Sequence, residues 1–395
     1  MYNPFSRVKI WAAQRLLKSI TNSEDLRRIL VGGDGKGFTS HQFRPLAQAG
    51  FRDNDIVYFI ISDIARSVAS IQLLLDELPP LIRELIDRPE QGKPWKIWVF
   101  EQMVYRLIAG ESYAQIIKIQ DRISELPIIR PDRISPIHGE LTNTRQLLNS
   151  WQLSAGGTLL PEDVWFSKLL DPLRDHEGWG PLQATRQNVD NRNSISKHNK
   201  DTLDNHGAPF GILKVKKSGD AIALRRNKQQ LREISEQINE RFDEATGKIA
   251  VVGDDLEFER LGMTGREMDY TKTDESAARK TAIAFGYPAV LLGFAQGATF
   301  ANMREGKEFL MLNTVLPHLG LILCDLSLTL KLKEVIKPNL KSIPALADLF
   351  ERKRKAARED KKEGIISVEE AREEGGYPEE VNGTLTIDPR FIPVE

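Results

Sequence analysis

The chain reads as an α+β protein organised around one uncharged loop, and three observations predict it. Two long, mostly polar helical stretches, 182–207 and 266–285, bracket a short unit of strands and one amphipathic helix at 208–265. A loop follows with glycines at 286, 293 and 297, and no charged residue occurs from Thr281 to Met303. A further helical segment then starts near Asn302 and is apolar on most sides from Phe309 to Leu330, with Pro317 inside it. Glycine supplies positive φ and proline disfavours the α region in the residue before it, so Gly286-Tyr287-Pro288 predicts a helix end near Phe285. An uncharged run of this length raises the question of a membrane span, but its glycines and Pro288 break it. A loop between two rigid helices is the better reading.

At 395 residues, 41% of them hydrophobic, the chain has room for two or three domains with their own cores. Its 55 basic and 56 acidic residues nearly cancel, which argues against a protein that coats nucleic acid but permits one that surrounds DNA without gripping it. A single cysteine, Cys324, lies in an apolar run, which predicts a buried thiol and no disulfide within one chain. Met1–Leu17 is amphipathic and basic but lacks a continuous apolar stretch and a small-residue cleavage site, so no signal peptide is expected and the compartment of synthesis is cytoplasmic.

In order along the chain, residues 1–50 are poorly patterned. GGDGKGFTS at 32–40 invites a phosphate-loop reading, but Lys36 is followed by Gly37 rather than Ser or Thr, so a loop is expected. Asp53–Leu78 predicts the first strong helix, with Val57, Ile60, Ile61, Ile64, Val68, Ile71 and Leu75 at helical spacing and Pro79-Pro80 ending it. A second helix is expected over Trp95–Ala109, then a strand-like run Ala114–Ile119 and an extended, proline-bearing stretch Leu126–Ile137. Gly139–Asp163 suggests a hairpin or insertion. Leu182–His206 holds neither glycine nor proline between its ends and its apolar residues Leu182, Val189, Ile195 and Leu203 form only a thin seam, so this helix cannot cover a core alone.

Within 208–265, a strand at Gly211–Val215 leads through the charged turn Lys216–Asp220 to a helix marked by Leu231, Ile234, Ile238 and Phe242. Strands are expected at Lys248–Val252 and Leu256–Leu261, joined by Gly253-Asp254-Asp255. Strand alternation places Glu257 and Glu259 on one face, which reads as a solvated edge rather than a metal site. Ala345–Lys362 predicts a charged helix of mixed sign, and Ser367 with Glu370 predicts a capping box.

Several short motifs are shared with one family. Gly286-Tyr287-Pro288, Leu291-Leu292-Gly293, Thr299-Phe300-Ala301-Asn302, Phe309 and Leu316-Pro317 resemble the central signature of phage portal proteins of the HK97-like tailed-phage group. Gly110-Glu111-Ser112-Tyr113, LPIIRPDRISPI at 126–137, Gly178-Trp179-Gly180-Pro181-Leu182 and the Gly364-to-Arg372 stretch are similar to further portal segments in the same order, together covering about residues 50–380. Glu111 stands where that family usually carries Asn, and the histidine often seen earlier in the extended segment that ends in the Gly-Trp-Gly turn is missing.

The resemblance implies an N-terminal wing at 1–181, stem helices at 182–207 and 266–285, a clip at 208–265, a tunnel loop at 286–301, a long wing helix at 302–336 and a crown at 337–395. It implies a ring, dodecameric in the family, at one vertex of a phage head, assembled in the host cytoplasm and carried in the virion. Such a ring nucleates head assembly, docks the large terminase, passes double-stranded DNA during packaging and ejection, and joins head to tail through an adaptor. The major capsid and scaffold proteins are its other expected partners. Gln296, Thr299, Phe300 and Asn302 would then face the DNA channel. Lys216, Lys217, Asp220, Asp254 and Asp255 would face the terminase or adaptor, and Val189, Ile195 and Leu203 would pack between stems in the ring.

The six histidines (41, 138, 176, 198, 206, 318) show no metal-ligand spacing, and no nucleophile elbow, nucleotide fingerprint or zinc pattern occurs. No enzyme activity, cofactor or metal is expected. Two other readings stay open: a metal-dependent nucleic-acid-processing enzyme with 182–285 as a substrate arm, and a non-portal neck or tail ring protein.

Overall fold

A computed structural model describes residues 38–120, 122–141, 146–204, 211–215, 256–260, 270–294, 299–367 and 370–372. Its principal elements are α1 (Asp55–Ser70), α2 (Pro80–Asp87), α3 (Trp95–Ala109), β1 (Glu111–Gln115), β2 (Ile134–Leu141), β3 (Gln146–Leu153), β4 (Val164–Lys168), α4 (Pro181–Asp204), β5 (Gly211–Val215), β6 (Leu256–Arg260), α5 (Tyr270–Ala284), α6 (Phe300–Leu310), α7 (Leu316–Thr329) and α8 (Ala347–Lys362). The chain divides into two compact units, one from Met1–Tyr58 and Leu182–Thr281, the other from Phe59–Pro181 and Ala282–Glu395.

The first unit is held by polar contacts along α4. Its Leu182 is buried against the π-helical turn Ala47–Arg52, where a β-carbon on Gly50 would lie 2.8 Å from Leu182 Cδ2. Beyond that point the helix lays polar side chains on neighbouring segments. Asp190 accepts from Thr39 N–H at 2.7 Å, Asn193 donates to the Ala49 carbonyl at 2.7 Å, and Asn54 donates to Asn193 at 2.9 Å. A helix polar on nearly every side is thus stable because its polar groups find protein partners. In the same unit β5 and β6 pair antiparallel, Val215 opposite Leu256 and Gly211 opposite Arg260. This pairs the strand expected at Leu256–Leu261 with Gly211–Val215. The expected helix around Leu231–Phe242 and strand Lys248–Val252 lie outside the described residues.

The second unit carries the aromatic core. β1 runs antiparallel to β4 on one edge and to the short strand Ile128–Ile129 on the other. β2 pairs with β3, which pairs with Thr158–Leu159, so the Gly139–Asp163 region is largely a hairpin with a third strand. Tyr113, Ile134, Trp151 and Val164 form the buried centre, with Phe166 stacked on Tyr113 at 5.0 Å and Trp151 edge-on to Tyr113 at 5.2 Å. α3 packs Trp98 against Trp165 at 5.2 Å, and its indole N–H donates to the Leu126 carbonyl at 2.7 Å.

Three expectations are corrected. The first helix ends at Ser70, not Leu78, because Leu73-Leu74 leave the helical path to pair with Lys337-Pro338. The Gln72 carbonyl there accepts from Asn339 N–H at 2.7 Å. The run Ala114–Ile119 is split between β1 and a separate strand, Ile117–Ile119, in another hairpin. The long helix is not uniform: α6 and α7 are joined by a π-helical turn, Met311–Val315, which ends just before Pro317. Proline lacks an N–H and its ring crowds the carbonyl four residues back, so the wider turn absorbs it without a break. The capping box is present, with Ser367 N–H donating to Glu370 at 2.8 Å and Glu370 N–H donating to Ser367 Oγ at 3.2 Å.

Candidate functional site

The loop after α5 is clamped at both ends. Gly286 takes φ +63°, and its carbonyl accepts from Thr314 Oγ1 at 2.6 Å. A β-carbon at 286 would lie 2.8 Å from that same oxygen, so a side chain is resisted by backbone conformation and by space together. Tyr287 is 3% exposed and donates its hydroxyl to Asp63 at 2.9 Å. Burial first, then the Asp63 charge, pushes this phenol far above its ordinary range, so it remains a donor. A 3₁₀ turn, Ala289–Leu292, follows Pro288 and ends at Gly293 with φ +79°. This turn sits on α6 at Gly306, where a β-carbon would approach Val290 Cγ1 to 2.8 Å.

At the far end Thr299 caps α6, its hydroxyl accepting from Asn302 N–H at 3.2 Å. Phe300 is 96% exposed and Asn302 is exposed beside it. Thr299, Phe300 and Asn302 therefore gather at one helix start, whereas Gln296 lies outside the described residues. The capping role of Thr299 was legible only as a residue type before a helix.

α4 and α5 are tied by charge. Arg192 forms ion pairs with Asp274, Nε to Oδ1 at 2.9 Å, and with Asp55 at the start of α1. Burial opposes the arginine's charge, but the Asp55 hydrogen bond and the field of Asp274 outweigh it and raise its pKa. Thr185 meets Thr281 across the same pair of helices, hydroxyl to hydroxyl at 3.4 Å. Val189 is 3% exposed within a single chain and Ile195 is half-buried; the side chain of Leu203 lies outside the described residues. Lys216, Lys217, Asp220, Asp254 and Asp255 lie outside them too.

Two motifs read separately in the sequence meet in space. Gly110 caps α3 with φ +80°, and a β-carbon there would overlap the backbone of Trp179 and Gly180. One on Gly178 would overlap the Gly110 carbonyl. Glu111 completes the crossing, accepting from Gly178 N–H at 2.8 Å. Burial raises its carboxyl to about 7, against an ordinary value of 4.5. The crossing stands directly before Pro181, where α4 begins.

Deeper in the same unit Arg106 is fully buried and donates to Ser167 Oγ, which donates to Asp325 at 2.5 Å. Burial lowers the guanidinium to about 10, and burial with the Arg106 charge lowers His318 to about 4. The arrangement balances a buried cation: the Ser167 hydroxyl bridges the guanidinium and the Asp325 carboxylate, accepting a hydrogen bond from one and donating to the other. Among the described residues no three His, Cys, Asp or Glu side chains come together as a metal site.

Comparison with known proteins agrees with this architecture. The family model for "Phage portal protein" matches residues 56–376. An uncharacterised protein of Rickettsia felis is 27% identical over 292 residues, 69% of this chain and 73% of its own length. One of Rickettsia bellii is 26% identical over 294 residues, 70% and 74%. Among solved structures, a chain in the virion of a native gene transfer agent particle is 25% identical, with TM-score 0.62, covering 88% of this chain and 97% of that one. A chain in the neck of an empty gene transfer agent particle, computed with C6 symmetry, has TM-score 0.64 at 24% identity, covering 89% and 98%. The fold is also that of an HK97-family phage portal protein from Corynebacterium diphtheriae, TM-score 0.58 at 13% identity, covering 79% and 99%. With the family signature spanning both halves of the fold, and the clamped loop, paired helices and glycine crossing all inside the matched span, the chain belongs to the phage portal protein family.

Proposed function

We propose that this chain is the subunit of a ring-shaped portal that joins the head of a phage-like particle to its neck and passes double-stranded DNA through its centre. The clamped, uncharged loop between α5 and α6 carries the reading. From Thr281 to Met303 no cationic side chain can form an ion pair with a phosphate, while Arg304 follows at once. Each lysine–phosphate contact releases counterions and adds affinity that resists sliding, so a loop meant to touch moving DNA gains by being uncharged. Thr299, Phe300 and Asn302, with Gln296, present polar and apolar groups that contact DNA weakly. The likeness to a chain of the gene transfer agent virion supports a place in the particle.

The finer roles follow from the same reading. The 208–265 unit is the clip, and Lys216, Lys217, Asp220, Asp254 and Asp255 dock the large terminase during packaging and an adaptor afterwards. Capsid and scaffold proteins surround the ring during head assembly in the host cytoplasm. Ile195 and Leu203 pack between neighbouring stems, Val189 being already buried within its own chain.

Class-averaged electron microscopy with light scattering on the purified chain tests the reading. The expected result is rings with a central channel near twelve times 44.7 kDa, in line with the C12 symmetry of a related particle neck. A monodisperse monomer overturns it, and the sample then goes to a metal-dependent nuclease assay.

A further inference from the structure

The helical stretch Phe300–Thr329 has two opposite faces. Val315, Leu319, Ile322, Leu323 and Leu326 are at most 1% exposed and lie in the core of their own unit. The other face presents Pro317, Gly320, Leu321 and Leu328 to solvent, with Cys324 half-buried among them. At 3.6 residues per turn these five positions fall in one stripe about 100° wide, and none is charged. Leu321 and Leu328 are 49% and 71% exposed, and Leu312 in the π-helical turn and Phe309 before it are exposed apolar residues too. A β-carbon on Gly320 would meet no atom within 4 Å, so the helix backbone is open to close approach there.

We propose that this stripe is an interface that receives a second copy of the chain, seated closest at Gly320. The inference rests on the ring reading above and adds to its stem contacts a second surface, in the other unit. A cyclic ring is closed by unlike faces of successive copies, so each subunit must offer a face with no counterpart in its own fold. An apolar, charge-free strip is what the centre of such a contact requires. Related chains sit in particle necks computed with C6 and C12 symmetry, which makes another copy the occupant these observations favour. A lipid occupant fits poorly. The same helix buries its opposite face in protein, so it offers a bilayer only a stripe.

Two readouts on the full-length protein test the proposal. Cys324 is the only cysteine, so maleimide labelling reports directly on the stripe. The wild type is expected to label readily as a dissociated subunit and to lose labelling in the ring. Gly320→Ala, a small addition on an open helical face, keeps the ring. Gly320→Phe keeps the thermal unfolding transition of the subunit but abolishes the ring and restores Cys324 labelling. A ring in which Cys324 remains as reactive as in the subunit overturns the proposal while leaving the ring reading intact, as does a Gly320→Phe protein that still forms the wild-type ring. A wild-type chain that never leaves the monomer overturns both. Flotation of the wild type with phosphatidylcholine vesicles, with Cys324 protected only there, assigns the stripe to lipid and overturns this proposal.

Discussion

Gly110 and Gly178 touch backbone to backbone: a β-carbon on Gly178 would overlap the Gly110 carbonyl oxygen, and one on Gly180 would lie 2.6 Å from the Gly110 nitrogen. The end of α3 and the turn that launches α4 are therefore fixed to each other by the absence of side chains. Gly110→Ala is expected to cost clearly more than Gly92→Ala. The two glycines share nearly the same φ, +80° and +79°, but nothing lies within 4 Å of a β-carbon at Gly92. Left-handed backbone strain alone costs roughly 1–2 kcal/mol, and overpacking against a backbone that cannot move adds about 1–3 kcal/mol more. Denaturant unfolding of the two variants measures the difference, and equal losses would show that the crossing can yield.

The same crossing confers a pH dependence. Glu111 has a folded-state pKa of about 7, raised by burial from 4.5. Between these values the folded chain binds more protons at this site than the unfolded chain, so its contribution to stability falls as pH rises through the window. His318 acts oppositely: its folded pKa of about 4 lies below the ordinary 6.5, and its contribution is lost as pH falls through that interval. The informative quantity is hence the difference between the wild type and Glu111→Gln. Unfolding midpoints measured from pH 4.5 to 7 should converge at the acid end, where the wild-type carboxyl is protonated like the amide. They should diverge by up to about 3 kcal/mol at the neutral end in favour of the variant. A difference independent of pH would mean that Glu111 is solvated.

How much of this was readable beforehand follows from the reach of each signal. The helix at α1 was legible because Val57, Ile60, Ile61, Ile64 and Val68 repeat at helical spacing, and all five are fully buried. Its end was not, since Ile71 and Leu75 continue that spacing while the backbone between them is claimed by Lys337-Pro338. Pro317 was visible inside the long helix, but the π-helical turn that accommodates it depends on backbone geometry that composition does not encode. In the site, the loop between Gly286 and Thr299 was legible from glycine, proline and the lack of charge. Arg192 was not, because one arginine among many polar residues carries no mark of the two aspartates it will meet. Gly110-Glu111 and Gly178-Trp179-Gly180 were each noticed, and only the fold reveals that they form one contact.

Arg192 supports a graded prediction within the first unit. Its side chain is 14% exposed, that of Asp274 is 30% exposed and that of Asp55 is 79% exposed. A charge pair facing water is worth little, about 0–1 kcal/mol, whereas removing a partner from a partly desolvated cation costs more. Asp55→Asn should leave the unfolding midpoint nearly unchanged, Asp274→Asn should lower stability by about 1–2 kcal/mol, and Arg192→Met should cost at least as much. A larger loss for Asp55→Asn than for Asp274→Asn would reverse the assignment of which aspartate holds the helix pair.

The loop itself gives the last prediction, and it separates the loop's anchoring from its chemistry. Thr314 donates to the Gly286 carbonyl at 2.6 Å while standing where a side chain at 286 would go. Thr314→Val keeps the shape but removes the protein donor to that partly exposed carbonyl, with an expected loss of about 0.5–1.5 kcal/mol in folding stability. Gly286→Ala adds positive-φ strain and crowds the same hydroxyl, and it should displace Tyr287 from Asp63. Replacing Gln296 and Thr299 by Lys leaves these anchors alone apart from the cap at Thr299, which costs about 1 kcal/mol. Its effect should therefore appear in function. DNA held by the assembled ring should become more strongly dependent on salt, and packaging should slow as each added lysine finds a phosphate. A lysine-bearing loop that packages and retains DNA as the wild type does would refute the weak-contact role of the loop, whereas the Thr314 and Gly286 variants would still report on how the fold holds it in place.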